Sequence, residues 1–195
     1  MLNDSANKLR RIHGGGLTSG YGSDPTWDGG NLASRGDIVV VTINYRLGGS
    51  SSRTKMYTSL TYSGTFGWFQ LLNNTDVHGN QGFGDQINGL KWVKENIAAF
   101  GGDPNNVVIG GQSSGGASVQ ALARSSAAAG LFNGVIQHSA GLDVFSTIPQ
   151  AVAAQINPIL NETGCLSATG DQIAELACMR AYDAASLVNL RTVGK

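Results

Sequence analysis

Long apolar runs are missing from this chain. No stretch approaches the ~18 consecutive apolar residues of a membrane helix, which argues against an integral membrane segment. Charge is scarce as well. Only 13% of residues are charged, and 13 Lys+Arg balance 13 Asp+Glu to a net charge of zero. That is about half the usual ~25%. The chain therefore offers no basic stripe for nucleic acid and no charge run of the kind found in disordered tails. Three histidines and two cysteines lie scattered without ligand spacing, so no metal is expected. Neither G-x-x-x-x-G-K-[ST] nor a G-x-G-x-x-G followed by an acid occurs, so the glycines do not read as phosphate loops and no cofactor is implied. The start, Met1-Leu2-Asn3-Asp4-Ser5-Ala6-Asn7-Lys8, lacks the apolar h-region of a signal peptide.

What is present fits one globular domain. A length of 195 residues with 41% hydrophobic content can bury a real core. Residues 38–43 form a continuous β-branched run, which predicts a strand buried on both faces of a mostly parallel sheet. Ile87, Leu90, Val93 and Ile97 recur at helical spacing within 86–97. Strands follow at 107–109 and 135–136, with an Ala-rich helix from near Gly115 to about Ala123 between them. From Ile148 onward the pattern is helical, over 151–160, 172–179 and 184–190. Alternating strands and helices predict α/β architecture. Trp27, Trp68 and Trp92 read as packing residues, not as a cofactor box.

The densest chemical signal is Gly111-Gln112-Ser113-Ser114-Gly115. It stands between the strand at 107–109 and the Ala-rich helix, which predicts strand, sharp turn and helix with a serine at the apex. A helix N-terminus favours negative charge beside that hydroxyl. The flanking glycines are expected to permit the tight turn because a Cβ there would clash. In a chain with 28 glycines, G-x-S-x-G occurs by chance roughly 0.3–0.4 times, so the pentapeptide is weak alone. His13-Gly14-Gly15-Gly16 is expected only about 0.01 times, and with the serine pentapeptide downstream it resembles the oxyanion-holding glycine loop that accompanies a nucleophile elbow.

Longer blocks give a resemblance that covers most of the chain. They are Asp28-Gly29-Gly30-Asn31-Leu32-Ala33, Asn44-Tyr45-Arg46-Leu47-Gly48, Asp85-Gln86, Trp92-Val93, Glu95-Asn96-Ile97-Ala98-Ala99-Phe100-Gly101-Gly102-Asp103-Pro104 and Ser118-Val119. In this order they resemble type-B carboxylesterases, the family of cholinesterases, fungal lipases and carboxylesterases. The resemblance implies part of an α/β-hydrolase fold, a mostly parallel central sheet flanked by helices. It implies a serine hydrolase that cleaves small-molecule or lipid carboxylic esters through an acyl-enzyme on Ser113. Gly15, Gly16 and the Ser114 N–H would form the oxyanion hole. Ser114 replaces the family's usual Ala, which leaves its N–H in place, and His13 belongs to the loop as a structural residue. Gln112 stands where cholinesterases carry Glu, which weakens the case for a cationic choline ester.

The same resemblance implies that Cys165 pairs with Cys178. Ala177-Cys178-Met179-Arg180 is similar to the Ala-Cys-Leu-Arg that closes a cholinesterase disulfide loop; two free thiols are the alternative. The family is largely secreted, and sequons at Asn3, Asn73 and Asn161 add mild support for a secreted full-length protein. A cholinesterase-like binding module without chemistry and an inactive fragment both stay open.

Three departures stand out. Lys8-Leu9-Arg10-Arg11-Ile12 occupies what is an apolar central strand in the family, and charge in a sheet interior carries a high desolvation cost. Residues 49–64 interrupt an otherwise continuous block, either as a retained intron or as a surface insertion. The resemblance puts the triad acid and His well downstream of the serine, so both are expected beyond Lys195; the front of the family's domain is absent as well, so the chain is expected to be a piece truncated at both ends. His138 is the one local substitute base to consider, and His78 reads as a loop residue.

Overall fold

The computed structural model describes residues 7–48, 65–74, 76–141, 147–187 and 190. Residues 49–64, with the proposed insertion, lie outside the described residues. The chain groups into two units. The first comprises Met1–Gly15, Gly20–Tyr45 and Phe83–Leu142; the second comprises Gly16–Ser19, Arg46–Gly82 and Asp143–Lys195.

The first unit is built on four parallel strands. β1 (Asn7–Ile12), β2 (Ile38–Thr42), β3 (Val107–Gln112) and β4 (Gly134–His138) lie in the order β2-β1-β3-β4. Parallel neighbours need crossovers. Helix α1 (Gly30–Gly36) lies between β1 and β2 in the chain, and α4 (Ser114–Arg124) joins β3 to β4. Between β2 and β3 run a short α2 (Thr65–Trp68), which falls in the second unit, and the long α3 (Gln81–Asn96). Leu90, Val93 and Ile97, the apolar positions at helical spacing, are buried together with Val107 and Ile109 of β3. Ala117, Val119 and Leu122 of α4 are buried as well. Burial of a Leu- or Val-sized side chain contributes about 1.5–3 kcal/mol, so this stripe outweighs the weak intrinsic preference of a Gly- and Ser-rich helix start. β4 differs from the other strands, with Val135 and Ile136 half exposed.

β1 is the central strand despite its charges, and Arg11 shows how one of them is accommodated. Its guanidinium lies over the Trp27 ring at 4.1 Å, a cation–π contact that replaces part of its hydration. Burial lowers its pKa and nearby Asp24 works against that shift. The side chain is only partly buried, so the desolvation anticipated for a sheet interior is not paid in full.

The second unit is mainly helical. α5 (Ile148–Ala151), a π turn (Val152–Ile156) and α6 (Asn157–Glu162) replace the single helix anticipated at 151–160. Pro158 follows the π turn; it cannot donate to the carbonyl four residues back, and its ring crowds that carbonyl. α7 (Gln172–Ala181) is capped by Asp171, whose carboxylate accepts from Ile173 N and Ala174 N, and α8 (Ala184–Leu187) follows. Phe69, Leu71, Val152, Ile156, Ile159, Leu160, Leu176, Met179 and Leu187 form one apolar cluster. Cys165 and Cys178 are joined as a disulfide, with Cα atoms 5.5 Å apart.

Candidate active site

Ser113 stands between the last residue of β3 and the first of α4, with φ 56° and ψ −127°. Left-handed backbone is rare for a residue with a Cβ and costs of order 1–3 kcal/mol, so it persists only where surrounding contacts enforce it. Three contacts do so here. The Ser113 N–H donates to the His138 carbonyl at 2.9 Å, the Ser113 carbonyl accepts from Ala117 N at 3.0 Å, and Gln112 pairs with His138 in the sheet. The serine occupies the N-cap position, yet its side chain makes no capping hydrogen bond. Its hydroxyl is therefore not consumed by the helix it starts.

The glycines of the pentapeptide act through the Cβ clash expected of them. Neither Gly111 nor Gly115 has positive φ; Ser113 itself takes the strained turn. What the two glycines supply is clearance. A Cβ on Gly111 would lie 2.2 Å from the Gly115 carbonyl oxygen, and one on Gly115 would lie 2.2 Å from the Ile12 carbonyl oxygen. The elbow, the first turn of α4 and the end of β1 are thus in backbone-to-backbone contact.

That contact brings the His13-Gly14-Gly15 loop to the serine. β1 runs beside β3 with Ile12 opposite Gly111, so the loop leaves the sheet at the same end as the elbow. A Cβ on Gly14 would fall 2.6 Å from the Gln112 carbonyl oxygen and 3.3 Å from Ser113 Cβ. Gly15 follows with φ 115°, a conformation that only glycine adopts readily. Gly16, with φ 64°, falls in the second unit. Ser114, buried at the first position of α4, completes the set of predicted site residues.

His13 is not placed to act as a base. It is 3% exposed, stacks on Tyr45 with ring centroids 4.4 Å apart, and its Nδ1 lies 2.8 Å from the Gly14 carbonyl oxygen. Burial pushes its pKa down, and nearby Arg11 adds to the effect. The His138 ring is exposed and lies against Ser139 Oγ at 3.4 Å; it makes no hydrogen bond to Ser113 among the described residues. His78 takes part in an isolated bridge with Gln70 in the second unit. Among the described residues, no cluster of three or more His, Cys, Asp or Glu could hold a metal ion. No helix among them is long and apolar enough to cross a membrane.

Two elements of support were not singled out by sequence. Tyr45 donates its hydroxyl to the His13 carbonyl at 2.8 Å. Buried Gln86 donates to Ser118 Oγ at 3.1 Å, and Ser118 Oγ donates to the Ser114 carbonyl at 3.0 Å, so a polar chain backs the first turn of α4. All three residues lie inside the resemblance blocks, yet nothing in their spacing reveals these contacts.

Comparison with known proteins gives the family and the fold. A profile of the Carboxylesterase family matches residues 6–52 and 59–194, and the chain belongs to that family. Para-nitrobenzyl esterase of Bacillus subtilis is 44% identical over 129 residues, covering 66% of this chain and 23% of that protein. Human carboxylesterase 3 is 35% identical over 177 residues, covering 91% of this chain and 27% of its own length. Among solved structures, juvenile hormone esterase of Manduca sexta superposes with a TM-score of 0.75 at 30% identity, covering 96% of this chain and 32% of that one. A PNB esterase gives a TM-score of 0.74 at 35% identity, covering 95% and 35%. The fold is that of part of an α/β-hydrolase. The chain spans about a quarter of the length of the curated relatives it matches.

Proposed function

We propose that the full-length protein is a serine carboxylic-ester hydrolase with Ser113 as nucleophile. One observation carries this reading: a left-handed serine at a strand-to-helix turn, its hydroxyl unused by the helix, with a glycine loop against its Cβ. The Ser113 oxygen attacks the ester carbonyl carbon while a histidine takes the serine proton. The resulting oxyanion is held by the N–H groups of Gly15 and Ser114; Gly16 is carried into this role by the resemblance alone. Collapse expels the alcohol, which receives the proton from that histidine. Water then attacks the acyl-enzyme by the reverse route and releases the acid. The histidine and its acidic partner lie beyond Lys195 in this reading. The substrate class is a small-molecule or lipid carboxylic ester. The Cys165–Cys178 disulfide favours an oxidising, extracellular setting.

A fluorophosphonate probe applied to the full-length protein, followed by peptide mapping, tests the assignment. Label on the Ser113 peptide, abolished in Ser113→Ala, is expected. Labelling that survives Ser113→Ala overturns the reading. The 195-residue chain by itself should turn over little or no ester, and robust turnover lost in His138→Ala would identify a local base instead.

A further inference from the structure

We propose that His13 and Tyr45 form a positioning pair that aims the Gly15 N–H at the oxyanion, an inference that rests on the role of Ser113 above. The argument starts with hydrogen-bond chemistry. A backbone carbonyl only accepts, so the 2.8 Å contact between His13 Nδ1 and the Gly14 oxygen requires Nδ1 to carry the proton. That fixes the tautomer and leaves Nε2 as an acceptor; it is buried and has no hydrogen-bond partner among the described residues. The Gly14 carbonyl and the Gly15 N–H belong to one trans peptide, so they point in opposite directions. Holding the Gly14 oxygen on the imidazole therefore turns the Gly15 N–H away from it. The histidine ring sets the direction of a donor that it does not itself supply.

The preceding peptide is fixed the same way. The Tyr45 hydroxyl donates to the His13 carbonyl at 2.8 Å, and the two rings stack with 21° between their planes. Burial pushes the Tyr45 pKa up, so the hydroxyl keeps its proton throughout the working range. Clearance limits the alternatives. A Cβ on Gly20 would lie 2.5 Å from the Gly14 oxygen and 2.7 Å from His13 Nδ1, and a Cβ on Gly115 would lie 2.8 Å from the His13 oxygen. The His13–Gly14 loop is enclosed by Gly20, Tyr45, the elbow and α4. Preorganised donors of this kind act in the transition state, where the oxyanion is fully developed, more than in substrate binding.

The test uses the full-length protein and begins with Tyr45→Phe, which keeps the stacked ring and removes one hydrogen bond. The expected result is about a tenfold loss of kcat with KM within about twofold. A trifluoromethyl ketone, which mimics the tetrahedral adduct, should lose affinity by the same factor. His13→Ala, which removes the ring, should lose more in both measurements. Unchanged kcat and unchanged ketone affinity in Tyr45→Phe overturn the proposal, as does a loss confined to KM. An independent readout needs no turnover: imidazole nitrogen NMR should show His13 as the Nδ1–H tautomer, and an Nε2–H tautomer overturns the proposal. Fluorophosphonate labelling of the wild type separates the two ideas. No label on Ser113 sinks the nucleophile assignment, whereas normal labelling with silent variants sinks only the positioning role.

Discussion

Gly115 and the Ile12 carbonyl are so close that a Cβ on the glycine would sit 2.2 Å from the oxygen. This packs the second residue of α4 onto the end of β1, the strand that leads into the His13 loop. Because the obstacle is backbone, no side-chain rotation relieves it.

Gly115→Ala should therefore separate α4 from β1. Overpacking of this kind typically costs about 1–3 kcal/mol. The expected outcome is a lowered Tm together with loss of Ser113 labelling by a fluorophosphonate. Gly84→Ala, where a Cβ would meet nothing within 4 Å, serves as the control: labelling should be unchanged and Tm unchanged or raised, since Ala favours a helix over Gly.

How much of this was legible beforehand divides along physical lines. The strands at 38–43 and 107–109 and the stripe of Leu90, Val93 and Ile97 were readable because burial imposes period and composition. The elbow was readable as a motif, and so was the need for glycine where a Cβ would clash; that Ser113 itself takes positive φ was not, because no local pattern encodes the contacts that enforce it. β1 was obscured by Arg10 and Arg11, since a cation–π contact between Arg11 and Trp27 depends on tertiary placement. The Tyr45–His13 clamp joins residues 32 positions apart, and no local pattern encodes a contact of that range.

His13 predicts a pH dependence of stability. Burial holds its folded pKa below the ordinary value of 6.5. As pH falls below 6.5 the unfolded chain takes up a proton that the folded chain refuses, so stability falls. The contribution is fully present above 6.5, is lost as pH drops toward the folded pKa, and levels off below it. Urea denaturation of wild type and His13→Gln between pH 5 and 8 checks this. The variant should show a flatter profile in that window, and identical slopes would refute the assignment.

The disulfide predicts a stability difference of its own. Cys165 and Cys178 are 13 positions apart. Closing a loop of this size stabilises by about 3 kcal/mol in the chain-entropy model. Cys165 is buried and the bridge links the turn after α6 to α7, so Cys178→Ser should also loosen the packing of Leu160 and Leu176. Chemical denaturation of the variant should show a loss of about that size. Non-reducing peptide maps of the wild-type protein should recover the bridged pair; alkylatable thiols at both positions would exclude it.

The segment 49–64 yields the sharpest test of what belongs to the fold, and we propose that it is dispensable. The residues at its two ends already meet. Gly67 N–H donates to the Leu47 carbonyl at 3.1 Å, and a Cβ on Gly67 would lie 2.3 Å from the Arg46 oxygen. Gly48 N–H is in turn anchored on the Leu17 carbonyl at 2.9 Å. Joining Gly48 directly to Thr65 would place Gly67 four residues after Leu47. The existing bond would then become an i to i+4 bond, the geometry of a helical turn leading into α2. The Carboxylesterase family profile passes over 53–58 in this stretch, while it matches 49–52 and 59–64. Removing 16 residues shortens this loop about fivefold, which relieves a closure cost of about 1.4 kcal/mol, so the deletion should leave Tm unchanged or raise it. A retained intron and a surface insertion both allow that result, and sequencing the transcript across Gly48 and Thr65 distinguishes them. A clear drop in Tm on deletion would show instead that residues 49–64 pack onto the fold and are part of it.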